Sequence, residues 1–214
     1  MTAQYDRDYF ENGVASGKSL YEDYHWMPEE TFQMAKEILR VNKVELKLGN
    51  QPLVLDYGCA KGYLVRALRQ LGANAFGVDL SDYALSQAPE DVANYLGKPT
   101  DLDDLYDGVT WDLVIAKDVL EHMSVIEARQ FVAKMRERCR KMFVIVPLGR
   151  DDKYIIPEYE KDVTHVIRED LFWWASLFHD YGYEVLSSYS CGSLKKRWVD
   201  VSETGNGFIR AIAK

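Results

Sequence analysis

Between residues 52 and 147 short apolar runs alternate with helical faces, and this alternation limits the fold more than any other feature of the chain. Residues 52–58 (PLVLDYG) read as a strand ended by a glycine turn. Leu64, Ala67, Leu68 and Leu71 mark one face of a helix closed by Gly72, and residues 74–79 (NAFGVD) read as a second strand. A short helix (SDYALSQA), a weak third strand near residues 92–96 and a fourth strand at 111–117 (WDLVIAK) follow. Ser124 and Glu127 form a capping-box pattern ahead of a helix that faces inward through Ala128, Phe131, Val132, Met135 and Cys139. Residues 141–147 (KMFVIVP) are nearly all apolar, the composition of a strand buried on both faces of a parallel sheet. The order predicts an α/β fold, a doubly wound and mostly parallel sheet with right-handed crossovers.

The flanking segments differ from this core. After Pro28, Phe32, Ala35, Ile38, Leu39, Asn42 and Leu46 recur at helical spacing. Residues 171–181 read as a helix stopped by Gly182; YEVLSSYS and GFIRAIAK then predict an antiparallel C-terminal pair at one sheet edge. With no repeat and no Pro/Gly/Ser linker, one domain is expected over 1–214. Residues 1–50 would form an N-terminal lid and helix, 51–148 the cofactor-binding core, and 149–214 a substrate loop and the final strands.

The charge of −8, from 26 basic and 34 acidic residues, disfavours a phosphate backbone, so no nucleic-acid partner is expected. The basic residues near 134–141 end a helix, where cations are favoured anyway. No apolar run approaches the ~20 residues needed to cross a bilayer. The three cysteines form no CxxC pair, and a cytoplasmic setting is expected.

Ligands of open parallel sheets bind beyond the carboxyl ends of the strands. The first strand here runs through Asp56-Tyr57-Gly58-Cys59-Ala60-Lys61-Gly62 into a helix, and Asp79 lies 79 − 58 = 21 residues after Gly58. A carboxylate at that distance suits the two hydroxyls of a ribose. The pattern D-x-G-x-x-x-G lacks the second glycine of a dinucleotide fingerprint, and Asp56 would sit badly beside a pyrophosphate. It suits a ligand with an ammonium and no phosphates, such as an adenosine joined to an amino acid.

VLDYGCAKGYLVRAL, GVDLSDYAL, TDLDDLY and WDLVIAKDVLEHM resemble the first four motifs of the class I S-adenosylmethionine-dependent methyltransferases, over Leu53 to about Leu148. The resemblance implies the Rossmann-like fold of that family, S-adenosyl-L-methionine as cofactor and S-adenosyl-L-homocysteine as product. It implies that Asp56 and the backbone of Gly58 and Cys59 face the methionine part, with Gly62 completing the turn. Asp79 would take the ribose hydroxyls, Leu80 would pack on adenine, Asp101 would accept the adenine amino group and Leu102 would add a backbone contact. Asp103 fits the third motif as well as Asp101. Lys117 would lie beside the sulfonium through its carbonyl. Ala60 stands where the family usually keeps a third glycine.

Methyl transfer to a hydroxyl needs alignment in a dry pocket and a proton acceptor, most often a histidine. Of four histidines, His122 belongs to a Leu-Glu-His element that is often structural in the family. His165 follows a polar loop and resembles the Asp-x-Thr-His stretch of enzymes that methylate sugars and natural products. It is the candidate base, with Asp162 as its orienting carboxylate; the alternative is that Asp162 and Thr164 cap a following helix. No metal is expected, because no spacing is diagnostic, although Asp118, Glu121, Asp162 and His165 are donors that a metal centre would recruit. The expected acceptor is a small molecule or a saccharide, met by the tyrosines of the N-terminal segment, which alternatively cover the sheet edge. A protein or RNA methyltransferase would show a basic docking surface or an Asn/Asp-Pro-Pro-Tyr-type signature where this chain has Lys117-Asp118-Val119-Leu120. A cofactor-binding protein without acceptor activity stays open at this point.

Overall fold

The structure, a computed structural model, describes residues 4–46, 49, 51–100, 102, 108–195 and 202–214. Two short helices, α1 (Arg7–Glu11) and α2 (Gly13–Ser16), precede α3 (Pro28–Val41). Then come β1 (Leu53–Tyr57), α4 (Tyr63–Gln70), β2 (Asn74–Val78), α5 (Asp82–Ser86), β3 (Leu96–Gly97), β4 (Leu113–Lys117), α6 (Val125–Arg138) and β5 (Lys141–Pro147). The last third holds β6 (Gly149–Arg150), β7 (Lys153–Tyr154), α7 (Leu171–Asp180), β8 (Tyr183–Ser188) and β9 (Asn206–Ala213).

Among the described residues, seven strands pair in the order β3-β2-β1-β4-β5-β9-β8. The strands β1 to β5 are parallel, while β9 runs antiparallel to both β5 and β8. The doubly wound sheet is therefore as expected, and the C-terminal pair closes one edge with β8 outermost. Strand alternation sends Val114, Ala116, Met142 and Val144 to one face, against α6 and α7. Leu113, Ile115, Phe143 and Ile145 go to the other face, against α3 and α4. Both faces are covered, which explains why β4 and β5 read as unbroken apolar runs.

The capping box forms: the Ser124 hydroxyl accepts from the Glu127 amide, and the Glu127 carboxylate accepts from the Ser124 amide. The helical spacing of residues 32–46 holds only to Val41. Asn42 turns its side-chain amide onto the Ile38 carbonyl and Lys43 takes φ +51°, which leaves Leu46 off the helix and exposed. The third strand shrinks to two residues paired with Gly77 and Val78.

Strand order reverses between β1 and β4, and the crevice at their carboxyl ends is where open parallel sheets bind ligands. Gly58 ends β1 there with φ +82°, and a Cβ on it would lie 2.4 Å from Cγ2 of Val119. Both facts require glycine. Gly58→Ala is expected to lose roughly 1–3 kcal/mol of stability, read as a lower midpoint in urea unfolding; an unchanged midpoint would refute this account of the turn.

Candidate active site

The crevice opens into a cavity of about 460 Å³, within the range of small-molecule sites. Its wall includes Gly58, Ala60, Asp79, Leu80, Leu102, Asp118 and His122. Tyr5, Tyr9, Phe10 and Tyr21 of the N-terminal segment close it from above.

The first loop is knitted to the second strand. The Gly58 and Cys59 amides both donate to the Val78 carbonyl, at 2.7 and 3.1 Å. Asp79 continues the join: its Oδ2 accepts from the Ala60 amide at 2.7 Å and its Oδ1 from the Ser81 amide at 2.8 Å. A carboxylate has about four acceptor sites, so each oxygen retains capacity for a diol. Burial raises the Asp79 pKa, and these amides and Lys98 oppose the rise. Asp56 is buried behind this wall; burial, then the charge of Asp79, lifts its pKa to about 7, with Lys117 pulling the other way.

Of the residues read from the sequence, Gly58, Asp79, Leu80 and Leu102 meet at the cavity. Cys59 packs its side chain under Gly77, and Gly62 turns the chain into α4 with φ +77°. Both shape the loop from outside the cavity wall. Lys117 bonds Asp118 at 2.5 Å through its ammonium. Asp101 and Asp103 lie outside the described residues.

The N-terminal segment is fastened across the loop. The buried Lys61 ammonium reaches Glu11 and the Tyr24 carbonyl, both at 2.6 Å, and the Tyr83 hydroxyl donates to the same Glu11 oxygen. The Ser81 hydroxyl donates to the Tyr5 carbonyl. The tyrosines therefore cover the cavity, and they do so through specific polar contacts to motif residues.

On the acceptor side, residues 162–167 lie against the Leu-Glu-His turn, because the Val166 and Ile167 amides both donate to the Glu121 carbonyl. Asp162 is buried; its Oδ1 accepts from the Thr164 amide and hydroxyl, and its Oδ2 from the Tyr9 hydroxyl at 2.8 Å. The Thr164 hydroxyl gives its proton to Asp162, so it accepts from Nδ1 of His122 at 2.7 Å. His165 Nδ1 donates to the Tyr159 carbonyl at 2.9 Å. Both imidazoles therefore carry the proton on Nδ1 and leave Nε2 bare, with ring centroids 4.6 Å apart.

Asp162 lies 3.9 Å from Nε2 of His165. Its hydrogen bonds orient His122, through Thr164, and its bond to Tyr9 ties in the N-terminal segment. The helix after this stretch is capped by Asp170. His122 lines the cavity, and His165 stands behind it with its side chain 6% exposed. Burial lowers both histidine pKa values, that of His122 to about 4, where the neighbouring His165 adds to the effect.

Asp118 sits at the end of β4 with φ +56° and holds two ammoniums, Lys117 at 2.5 Å and Lys195 at 2.6 Å. Burial works to raise its pKa, and these two cations overcome it and keep the carboxyl below its usual range. Burial, followed by the charge of Asp118, drives the Glu121 pKa upward. Thr164, read as a cap, instead joins His122 to Asp162, and Lys195 is a site residue whose pairing with Asp118 no spacing marks. A threonine's role here depends on which two side chains flank its hydroxyl, and Lys195 arrives from a connection of no fixed pattern.

Residues 26–198 match the family model described as a methyltransferase domain. The ubiquinone biosynthesis O-methyltransferase of Leptothrix cholodnii is 39% identical over 67 residues, 29% of this chain and 28% of that protein. The magnesium-protoporphyrin O-methyltransferase of Synechocystis is 33% identical over 106 residues, 45% of each. The chain thus spans less than half the length of these curated relatives. A crystal structure of Synechocystis magnesium protoporphyrin IX methyltransferase with bound S-adenosylmethionine superposes with a TM-score of 0.57 at 18% identity, covering 99% of this chain and 90% of that one. With the match over residues 26–198 and this shared fold, the chain belongs to the methyltransferase domain family and has the class I architecture.

Proposed function

We propose that the protein transfers the methyl group of S-adenosyl-L-methionine to an oxygen of a small-molecule acceptor, releasing S-adenosyl-L-homocysteine. The observation that carries this reading is the carboxylate of Asp79 in the cavity wall beside Gly58, backed by two loop amides and open to a diol. The names of the curated relatives, O-methyltransferases of ubiquinone biosynthesis and of magnesium-protoporphyrin, support oxygen as the methylated atom. Asp79 takes the ribose, Leu80 and Leu102 flank the adenine, and Asp56, buried behind the wall, holds the ammonium end by its charge. The carbonyl of Lys117 lies on the sulfonium side, and Gly58, Cys59 and Gly62 hold the loop's shape.

In the transfer the acceptor oxygen attacks the methyl carbon. The new C–O bond forms as the S–C bond breaks, and the sulfonium leaves as a neutral thioether. The acceptor's proton goes to the histidine pair, with His165 and Asp162 carrying this task and Tyr9 joining the lid to Asp162. The cavity lies under Tyr5, Tyr9, Phe10 and Tyr21, a flat surface with hydroxyls that suits a saccharide or a phenol. No described helix is long and apolar enough to cross a membrane, and the free cysteines Cys59, Cys139 and Cys191 fit a reducing, cytoplasmic setting.

Calorimetric titration with S-adenosyl-L-methionine tests the reading. Asp79→Ala should weaken binding by about 1.5–3 kcal/mol, and wild-type protein that binds neither the cofactor nor its product would refute it. The ammonium selects ionised Asp56, so affinity should rise as pH increases through about 7 and fall below it. Asp56→Asn should bind more weakly with little dependence on pH, and a wild-type affinity equal at pH 6 and pH 8 would remove Asp56 from the ammonium site. His165→Ala should keep cofactor affinity and lose roughly 10²–10⁴ in turnover on a hydroxyl acceptor, measured by single-turnover kinetics. Unchanged turnover would exclude His165 from the chemistry.

A further inference from the structure

Behind the cavity three side chains converge, of which the proposed transfer employs the two histidines and leaves Glu121 without a task. Glu121, His122 and His165 place one ligand atom each within 4.8 Å of one another. Glu121 is 1% exposed, and its Oε2 has no hydrogen-bond partner among the described residues. The nearby ammoniums of Lys117 and Lys195 are held by Asp118 at 2.5 and 2.6 Å. A buried carboxylate oxygen without a donor is costly unless something else satisfies it.

The histidines are prepared for such a partner. Each imidazole donates through Nδ1, His122 to the Thr164 hydroxyl and His165 to the Tyr159 carbonyl, so each has Nε2 available as a lone pair. This outer hydrogen bond on the distal nitrogen is the arrangement that orients metal-ligating histidines and fixes their tautomer. Asp162 stands one step further out, holding Thr164. The main chain keeps the parts together, because the Val166 and Ile167 amides grip the Glu121 carbonyl and bring His165 beside the Leu-Glu-His turn.

We propose that Glu121, His122 and His165 bind a divalent first-row transition ion, through one carboxylate oxygen and two Nε2 atoms, at the wall of the acceptor cavity. The donor set, two imidazoles and one carboxylate, favours manganese, iron or zinc over magnesium or calcium. Bonds of about 2.0–2.2 Å put neighbouring ligand atoms roughly 3–4 Å apart, so the three groups close by about an ångström around the ion. Three protein ligands leave positions open toward the cavity that His122 lines. An acceptor hydroxyl bound there is more acidic, and its proton leaves to water. This deepens the proposed function and rests on it for the identity of the acceptor's reacting atom; in the ion-loaded protein His165 acts as ligand and the deprotonation passes to the cation. Ion binding itself needs neither cofactor nor acceptor.

The test is a titration of chelator-stripped full-length protein with Mn²⁺, followed by calorimetry and by loss of the free-ion paramagnetic resonance signal. One ion per chain is expected, with affinity reduced at least tenfold in Glu121→Gln and in His165→Ala. Thr164→Val, which leaves all three ligands in place, should weaken binding by about tenfold or more through the loosened His122. Zn²⁺ should compete with Mn²⁺ and Mg²⁺ should not. Stripped wild-type protein that takes up neither Mn²⁺ nor Zn²⁺, or a Glu121→Gln variant with wild-type affinity, overturns the proposal. A protein that binds S-adenosyl-L-methionine and transfers methyl groups in excess chelator would sink the metal site and leave the proposed function intact. Ion uptake without any cofactor binding would do the reverse.

Discussion

The Val78 carbonyl accepts the amides of both Gly58 and Cys59, and the Asp79 carboxylate next to it accepts the Ala60 amide. These bonds tie the carboxyl ends of β1 and β2 into one platform, on which the rest of the site depends. They fix the path of the glycine turn, since a loop whose amides are already satisfied has little reason to rearrange. They also hold the Asp79 carboxylate at the cavity wall, where its remaining acceptor capacity faces the space a ligand would fill.

A second join couples the two halves of the cavity. Tyr9, from the N-terminal segment, donates to Asp162, from the stretch after β7, while Lys61 of the glycine loop holds Glu11 and Tyr24. The N-terminal segment is therefore anchored at two places, to the glycine loop and to Asp162. A buried hydrogen bond to a carboxylate and a buried lysine with two oxygen partners are worth more than surface pairs, because water cannot replace them without cost.

The acceptor side gathers charge in a small volume. Asp118 pairs with two lysines and Asp162 is satisfied by Thr164 and Tyr9, while Oε2 of Glu121 has neither a hydrogen-bond donor nor an ion pair among the described residues. The left-handed backbone at Asp118 belongs with this, since an aspartate tolerates that region better than a branched residue and aims its carboxylate between the two ammoniums. Two histidines, each hydrogen-bonded at Nδ1, complete this cluster.

The order of strands and helices, the capping box and the Gly58–Asp79 spacing were all legible in the sequence, because each depends on neighbours within a turn or on one βαβ unit. The unbroken apolar runs of β4 and β5 likewise announced a sheet covered on both faces. Other features were out of reach. Leu46 kept helical spacing yet fell off the helix, because a single side-chain bond from Asn42 to Ile38 and the turn at Lys43 ended it first. Asp162 was visible as a partner for His165 three residues away, and the two lie 3.9 Å apart, but that its oxygens also take Thr164 and Tyr9 could not be read from spacing. Tyr9, Asp162, Thr164, His122 and Lys195 come from segments far apart in the chain, and their meeting is set by sheet order and by main-chain bonds at Glu121. Local patterns determined which elements form and that Asp79 follows Gly58 at the end of the next strand; only tertiary packing decided which buried polar atoms find partners, because those partners come from segments far apart in the chain.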